Sequence, residues 1–446
     1  MASIEQFRSG MRLITCENLN SNSVSIGVWI GVGSRYEPFE KQGISHFTEH
    51  LSFRGTKKRK NSYEIAAEIE SVGGYLNAET GSEHTGYVTK VPHNYASLGF
   101  DVLFDMIFNS DFKEKDIVSE KDVVKEEIST YKDMPSEHVY DVLKKLIWDK
   151  QALGRETLGT EESISSLTLD DLVDFSKNYY TPSNIVVSVV GNISHSDCID
   201  NIKKYTKNAK YTAGAKDASR DNGGNMVREE QDDFSCGTSR KFEAARYDHK
   251  DVSVHLEKKD CSEAHLCFGV RTVPITDERS YTLKIIDVIL GKGMSSRLFQ
   301  QLRDKRGLAY NLESEAMQVA DDGAYIIYVG SKLNKFKESV DVVISELKKI
   351  KQGDISGDDI ERAKRYYRGM FQLRVEDTLT LAELAGKSLL LKDEKLDVDK
   401  IFEKIDAVSV DDVIDFSNRY FINENLNLAV ISPYDDVEKI IGEISL

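Results

Sequence analysis

The stretch His46-Phe47-Thr48-Glu49-His50 is the most informative part of this sequence. It has the form H-x-x-E-H, in which two histidines four residues apart lie on one face of a helix, about one turn from each other. Two imidazoles placed in this way can hold one Zn²⁺, and a carboxylate beside the ion can accept a proton from water. The motif therefore predicts a hydrolytic metal site with Glu49 as the base. The other interpretation is a solvated helix on which these residues coincide by chance.

A catalytic zinc site needs a third protein ligand, and an acidic helix predicted over residues 114–131 offers candidates. Glu120 and Glu127 are seven residues apart, about two helical turns, so their side chains leave the same side of that helix. Either carboxylate can reach a metal. From the residues alone both assignments stay open, and an ordinary charged surface helix is the alternative.

Further motifs extend over nearly the whole chain. They read Gly33-Ser34-Arg35-Tyr36-Glu37, Phe53-Arg54-Gly55-Thr56, Gly73-Gly74-Tyr75-Leu76-Asn77-Ala78-Glu79-Thr80, Gly291-Lys292-Gly293-Met294-Ser295-Ser296-Arg297-Leu298-Phe299 and Arg303-Asp304-Lys305-Arg306-Gly307-Leu308-Ala309-Tyr310. Together with H-x-x-E-H they resemble the pitrilysin (insulinase) family of inverted zinc metallopeptidases. The resemblance is closest to the mitochondrial-processing-peptidase-like members, which have two halves.

The resemblance implies a complete metal site with one Zn²⁺ per chain. In the family pattern 76 residues separate the motif from a glutamate ligand, and counting from His50 makes Glu127 that ligand. His46 and His50 are then the other two ligands, and Glu49 is the general base. A supporting glutamate seven residues before the third ligand corresponds to Glu120, which is expected to orient a ligand.

The resemblance also implies substrate contacts outside the metal site. Asn77 belongs to a stretch that forms an edge strand beside the zinc in the family, and such a strand can bind an extended peptide. Without the resemblance, Asn77 is an ordinary turn asparagine. Arg303 and Tyr310 correspond to a pair that reaches the scissile peptide from the second half, where either group can stabilise an oxyanion.

An internal repeat predicts two related halves. Residues 168–180 recur as residues 409–421, an offset of 241, and each copy begins with a Ser/Thr helix cap and runs into an apolar strand. No histidine follows His265, so the second half lacks the means to build a like metal site. We expect an α+β fold of two homologous halves, each a largely antiparallel sheet packed with helices, enclosing a peptide cavity.

Periodicity and turn signals place the boundaries and elements. The expected units are a zinc-binding half over 1–207, a polar linker over 208–249 and a half without metal over 250–446. The elements predicted in the first half are a strand over 24–32, a hairpin over 75–90 and helices over 40–53, 62–72, 96–108, 114–131 and 138–150.

Composition limits the class of protein. The 446 residues are 40% hydrophobic and 30% charged, as in a globular protein, and no apolar run approaches the roughly 20 residues of a membrane helix. A net charge of −16 argues against nucleic-acid binding; it suits basic peptides or simply aids solubility. Five scattered cysteines without a C-x-x-C pair indicate reduced thiols. We expect a cytoplasmic protein, or a mitochondrial matrix protein if a presequence was removed.

These observations predict a zinc-dependent metalloendopeptidase that cleaves unfolded peptides or presequence-like segments. One alternative is a non-catalytic partner subunit of a processing-peptidase-like heterodimer. Another is a metal-dependent hydrolase of a substrate that is not a peptide. We expect a peptide substrate, no nucleic acid and no membrane, and a homodimer or a heterodimer with a related subunit.

Overall fold

A computed structural model describes residues 2–207, 242–246, 249–435 and 444–446. Residues 208–241 and 247–248, most of the predicted linker, lie outside the described residues, as does Cys236. The other four cysteines are free. In the described part of the chain, no helix combines the length and the apolar character needed to cross a membrane.

Two β-sheets form the framework. The strands of the first sheet are β1 (Ala2–Gln6), β2 (Arg12–Glu17), β3 (Ser23–Ile30), β4 (Tyr75–Thr80), β5 (Thr85–Pro92) and β6 (Ile185–Gly191). The strands of the second sheet are β7 (Ser253–Lys258), β8 (Glu263–Arg271), β9 (Ala309–Gln318), β10 (Gly323–Lys332) and β11 (Leu426–Ser432). The spatial orders are β1-β2-β6-β3-β5-β4 and β7-β11-β8-β10-β9.

Fourteen α-helices pack on these sheets within the described residues. In the first half they are α1 (Ile44–Ser52), α2 (Ser62–Glu70), α3 (Ala96–Phe108), α4 (Glu114–Lys132), α5 (Pro135–Ile147), α6 (Glu161–Ser166), α7 (Leu169–Tyr179) and α8 (His195–Thr206). In the second half they are α9 (Ser280–Leu290), α10 (Phe336–Lys351), α11 (Gly357–Arg374), α12 (Thr378–Lys392), α13 (Val398–Ala407) and α14 (Val410–Tyr420).

The two halves share one topology. The strands of each sheet, β1 aside, stand in the same spatial order relative to their order in the chain. In each sheet one parallel pair, β2 with β6 or β7 with β11, joins an otherwise antiparallel arrangement. The repeat noticed in the sequence therefore has a structural counterpart, and the expected α+β fold of two similar halves is confirmed.

One helix of each half packs on the β-sheet of the other half. The helix α5 packs on β8 and β11 of the second sheet, and α12 packs on β3 and β6 of the first. Both contacts have an apolar centre, and polar pairs such as Ser25 with Thr378 and His138 with Glu257 join them. Leu143 and Ile147 of α5 cluster with Ile326 and Ile431, whereas on the other side Leu389 of α12 clusters with residues of the first sheet. Since each sheet is covered by a helix of the other half, the halves are packed as one body.

Most predicted elements of the first half lie close to the observed ones, with two exceptions. The helix expected over 40–53 begins only at Ile44, because Gly43 has φ 84°, a left-handed conformation that interrupts the helix. A separate single turn covers Phe39–Lys41. The helix expected over 138–150 begins at Pro135, since proline is favoured in the first turn of a helix.

Candidate active site

The helix α1 carries the H-x-x-E-H motif into the interior, and Glu37 holds its N-terminal end. Glu37 is buried, and its carboxylate accepts hydrogen bonds from the backbone N–H groups of Gly43 (2.7 Å) and Ser45 (2.8 Å). These N–H groups have no partner within the helix. A carboxylate there accepts their hydrogen bonds and interacts favourably with the positive end of the helix dipole. The start of α1, two residues before His46, is thereby fixed.

His46, His50 and Glu127 come together where α1 packs against α4. Glu127 Oε1 lies 3.7 Å from His46 Nε2, and Glu127 Oε2 lies 3.5 Å from His50 Nε2. One ligand atom from each residue lies within 4.8 Å of the others, and no other such group of three is found among the described residues. Glu126 points to solvent instead.

The spacing of these donors fits a tetrahedral metal ion. Bonds of about 2.0–2.1 Å to one zinc ion place two ligand atoms about 3.3 Å apart, close to the separations found here. The Nδ1 atom of His46 is buried without a hydrogen-bond partner among the described residues, so Nε2 is the ring atom that faces Glu127. Two imidazoles and one carboxylate are also the donor types that zinc accepts, with one position left for water or substrate.

Glu120 lies behind the cluster and orients His50. Its Oε1 atom is 2.8 Å from His50 Nδ1, and Arg54 donates a hydrogen bond from Nε to its other oxygen. Glu120 is only 2% exposed. Because Nδ1 is held by this carboxylate, Nε2 of His50 is turned toward Glu127, an arrangement common behind metal-bound histidines.

The environment tunes the charge of each titratable group. Burial, followed by repulsion from His50, lowers the pKa of His46 to about 3, so its imidazole is neutral at pH 7. Burial also opposes the charged form of His50, but the hydrogen bond to Glu120 and the nearby carboxylates outweigh it, and the pKa of His50 is raised. Burial raises the pKa of Glu49, which is the direction useful in a general base.

Glu49 faces the edge strand β4. The hydroxyl of Thr80, the last residue of β4, donates a hydrogen bond to Glu49 Oε2. This contact leaves Glu49 Oε1 available to accept a proton. Since β4 ends the first sheet and pairs only with β5, its other edge is free to pair with an extended chain within the described structure.

Asn77 lies in the middle of that edge strand with its side chain exposed. Its Nδ2 atom donates to the hydroxyl of Tyr75, 2.9 Å away. The structure therefore places Asn77 on the strand beside Glu49 and not in a turn, which removes the turn interpretation. No contact with the metal-binding candidates is found for it among the described residues.

Arg303 and Tyr310 contact each other, and no contact of either with the His46–His50–Glu127 cluster is found among the described residues. The guanidinium carbon of Arg303 lies 4.3 Å from the centre of the Tyr310 ring, and its Nη1 atom donates to the Tyr310 carbonyl at 3.3 Å. Tyr310 is 69% exposed. The pair thus presents a phenol and a guanidinium on the surface of the second half, and its contacts in the described structure stay within that half.

Three residues that support the site had no role predicted from the sequence. They are Glu37 at the start of α1, Arg54 paired with Glu120, and Thr80 bonded to Glu49. Each belongs to one of the quoted motifs, so their presence was visible. Their roles depend on contacts between distant elements, which periodicity does not reveal.

Family models cover most of the chain. A model described as insulinase (peptidase family M16) matches residues 12–161, and one described as peptidase M16 inactive domain matches residues 166–367. The first match contains the whole His46–His50–Glu127 cluster. The second covers much of the half in which no such cluster is found among the described residues.

Curated relatives align over nearly their full length. A Bacillus subtilis protein named uncharacterized zinc protease YmxG is 35% identical over 96% of this chain and 97% of its own. A Streptomyces coelicolor protein named uncharacterized zinc protease SCO5738 is 31% identical over 96% of this chain and 88% of its own.

Solved structures share the fold. The crystal structure of a protease from Helicobacter pylori superposes with a TM-score of 0.84 at 22% identity, covering 97% of this chain and 99% of the other. A putative M16-like peptidase from Alicyclobacillus acidocaldarius superposes with a TM-score of 0.80 at 15% identity, covering 97% and 98%. At these identities the likeness concerns the fold alone.

Proposed function

This chain belongs to the insulinase family of peptidases, family M16, and from that premise we propose that it is a zinc-dependent metalloendopeptidase acting on unfolded peptides. The observation that carries the proposal is the convergence of His46, His50 and Glu127 beside a carboxylate, Glu49, that is not part of the cluster. Three donors with a separate base are what metal-assisted hydrolysis requires.

His46, His50 and Glu127 hold one Zn²⁺ in the proposal. When bound, the ion polarises the scissile carbonyl and lowers the pKa of a water molecule to about 7. His46 enters as a neutral imidazole because burial lowers its pKa. Glu120 keeps Nε2 of His50 aimed at the site, and Arg54 holds Glu120 in turn.

Glu49 moves the proton. Its Oε1 atom accepts a proton from the attacking water, and the same atom returns it to the departing amine. Thr80 holds the other oxygen, so the carboxylate keeps one orientation through both transfers. The raised pKa of Glu49, caused by burial, brings its basicity closer to neutral pH.

The free edge of β4 supports a peptide as the substrate. A peptide added to this edge gains backbone hydrogen bonds whatever its sequence, and it passes Asn77 and Thr80 on the way to Glu49. Only an extended chain can add in this manner, which favours unfolded segments over folded proteins. A hydrolase of small non-peptide molecules has no need of such an edge.

A cavity beside the metal-binding candidates supports basic, presequence-like segments as substrates. It has a volume of about 680 Å³ and lies between α4, α5 and β9. Tyr131, one turn beyond Glu127 on the same face of α4, lines it, and so do Glu137, Glu313 and Glu315. Carboxylates here would attract Lys or Arg side chains of a bound peptide.

Arg303 and Tyr310 complete the proposal as groups that grip the scissile bond. Their exposure leaves both free to contact a peptide, and a phenol or guanidinium donor stabilises a developing oxyanion. Because no contact joins this pair to the cluster among the described residues, we propose that the enzyme works as a dimer, with a second copy or with a related subunit. We place it in the cytoplasm and propose no nucleic acid or membrane as partner.

The alternative of a non-catalytic partner subunit is not favoured. Such a subunit has no need of a base beside a set of donors, yet Glu49 is buried next to His46 and His50 and is held by Thr80. Burial of a carboxylate is unfavourable unless its contacts compensate for the lost hydration.

Peptide cleavage and zinc content measured together test the proposal. Glu49→Gln should retain about one zinc per chain while turnover falls roughly 10²–10⁴-fold, since the base is lost and the ligands remain. His50→Ala should lose the metal as well as the activity. Glu40→Gln, on the exposed turn before α1, is the matched control and should behave as wild type. Wild-type turnover in Glu49→Gln would rule out the mechanism.

A further inference from the structure

The second half contains another cavity, which adjoins the acidic cavity described above and shares Lys292 and Glu315 with it. It has a volume of about 640 Å³, within the range of ligand sites. It lies between α9, α11, α12 and β9, and much of its wall is apolar. The apolar side chains include Val288, Tyr367, Met370, Phe371, Leu384 and Leu391.

Two lysines line this cavity without forming an ion pair among the described residues, although the charge of Glu394 acts on Lys392. Lys284 lies on α9 between buried core residues, and its ammonium contacts the ring of Tyr281, with Nζ 4.6 Å from the ring centre. Lys392 ends α12 on the cavity wall. In the described part of the chain neither ammonium forms an ion pair or a hydrogen bond.

The two positive charges oppose each other and are poorly hydrated. Burial lowers the pKa of Lys284 to about 8, and the charge of Lys392 contributes to that shift. Burial also lowers the pKa of Lys392. An anion placed between the two ammonium groups would relieve both the repulsion and the lost hydration.

Charged side chains line the cavity beside its apolar wall. The carboxylates are Asp287, Glu315, Glu394 and Asp397, and the cations besides the two lysines are Lys292, Arg374, Lys387, Lys395 and Lys400. The cations outnumber the carboxylates, which favours an anionic ligand, and the apolar wall favours one that also has an apolar part. A carboxylic acid has one charge for the lysines, and its apolar tail can cover the rings and aliphatic side chains of the wall.

We propose that this cavity is a binding site for a small amphipathic monocarboxylate, on the scale of a medium-chain fatty acid, with the carboxylate at Lys284 and Lys392 and the tail against α11. The site is independent of the metal cluster, since none of its lining residues belongs to α1 or α4. It therefore stands whether or not the protein is a protease.

Calorimetric titration of the full chain with octanoate tests the proposal. We expect one site per chain, a negative heat-capacity change from burial of the tail, and binding at least tenfold tighter than that of 1-octanol. Acetate, which has the charge without the tail, should not bind measurably. A short peptide with a C-terminal leucine and a free carboxyl serves as the competing class of ligand.

Variants locate the site. Lys284→Met keeps the length and apolar character of the side chain but removes the charge, and it should weaken octanoate binding about 10–100-fold. Lys392→Met should weaken it in the same direction and provides a second test if Lys284→Met does not fold. Lys351→Met, on α10 outside the cavity, is the matched control and should bind as wild type.

Three outcomes would overturn the proposal. They are equal affinity for octanoate and 1-octanol, unchanged binding in both lysine variants, and binding of the peptide acid without binding of octanoate. Zinc content and peptide cleavage of Lys284→Met should equal those of wild type, which separates this site from the active site.

Discussion

The two halves of this molecule have the same framework, but the side chains at equivalent places differ in polarity. Where α1 packs on α4, the first half gathers imidazoles and carboxylates; where α9 packs on α11, the second half has an apolar cavity. Counted from the starts of α4 and α11, Met370 stands where Glu127 stands and Ala363 where Glu120 stands. A few side chains at shared positions thus decide whether this framework holds a polar site or an apolar one.

The comparison also shows what each half needs from the other. The exchange of α5 and α12 is symmetric, since the two helices hold the same place in the order of each half. The first half has the candidate ligands. The second half has the helix α12, which covers the sheet of the first half, and the exposed Arg303–Tyr310 pair. Similar halves therefore make an unequal pair that folds together.

The largest expected effect comes from separating the halves. Without α12, residues of the first sheet such as Trp29 and Val186 lose the cover of Leu389 and Leu390. Exposing several large apolar side chains costs about 1.5–3 kcal/mol each, together comparable with the whole stability of a typical domain. A fragment ending at residue 207 should therefore lack a cooperative melting transition and retain no zinc.

A cut chain provides the control for that experiment. When the same cut is made between residues 207 and 242 and both pieces are kept together, circular dichroism and zinc content should match the intact protein, because both exchanged helices are still present. A stable, zinc-binding first fragment would show that the exchange contributes little.

The next largest effect concerns the contribution of the second half to catalysis. Tyr310→Phe should lower kcat/KM roughly 10²–10³-fold if the phenol donates to the oxyanion, with zinc content unchanged. Tyr434→Phe, a partly exposed tyrosine of the second half that stacks on Phe336, is the control and should have wild-type kinetics. Peptide cleavage by Tyr310→Phe at the wild-type rate would leave the second half with a purely structural role.

Two neighbouring glutamates test which carboxylate belongs to the proposed metal site of the first half. Glu127→Gln should weaken zinc retention by about 100-fold or more, beyond the 10–100-fold typical of outer-shell partners. Glu126→Gln should have no effect, because that side chain points to solvent. Metal analysis after dialysis against a mild chelator measures both variants, and the reverse ranking would contradict the proposed ligand set.

The smallest expected effect concerns the start of α1. Burial raises the pKa of Glu37 to about 6, above its ordinary value of 4.5. The folded protein therefore binds the Glu37 proton more tightly than the unfolded chain does. The resulting stabilisation of the folded state, about 2 kcal/mol, is complete below pH 4.5 and is lost as the pH rises through 6. Burial raises the pKa of Asp287 to about 6 as well, so urea unfolding of wild type and Glu37→Gln from pH 4 to 7 should show a slope in both proteins that is shallower in Glu37→Gln than in wild type. Glu40→Gln should keep the wild-type slope.

Local patterns were sufficient to predict much of the first half. The alternation before Val32, the hairpin after Gly74 and the helix over Ala96–Phe108 all depend on neighbouring residues, and each lies close to its predicted place. The starts of two helices, predicted at residues 40 and 138, were inaccurate. The residue at which α1 begins depends on the left-handed backbone of Gly43 and on a carboxylate from outside the helix, which no periodicity reports.

The candidate site divides in the same way. Helical spacing made His46, His50, Glu120 and Glu127 candidates, because helical geometry fixes which side chains share a face. The family resemblance made Glu127 the third ligand, and the structure brings it together with His46 and His50. Thr80 and Arg54 received no role, since their partners lie far away in the chain. The contact between Arg303 and Tyr310 also became visible only in three dimensions.

The sequence by itself determined the family, the two related halves and the set of candidate ligands, because these follow from short motifs and from a repeat written along the chain. Only the tertiary structure decided that α5 and α12 are exchanged, that His50 is the residue bonded to Glu120, and that a lysine-lined cavity occupies the second half. Those features arise from packing between surfaces distant in sequence, and burial and charge at such contacts depend on every neighbour at once.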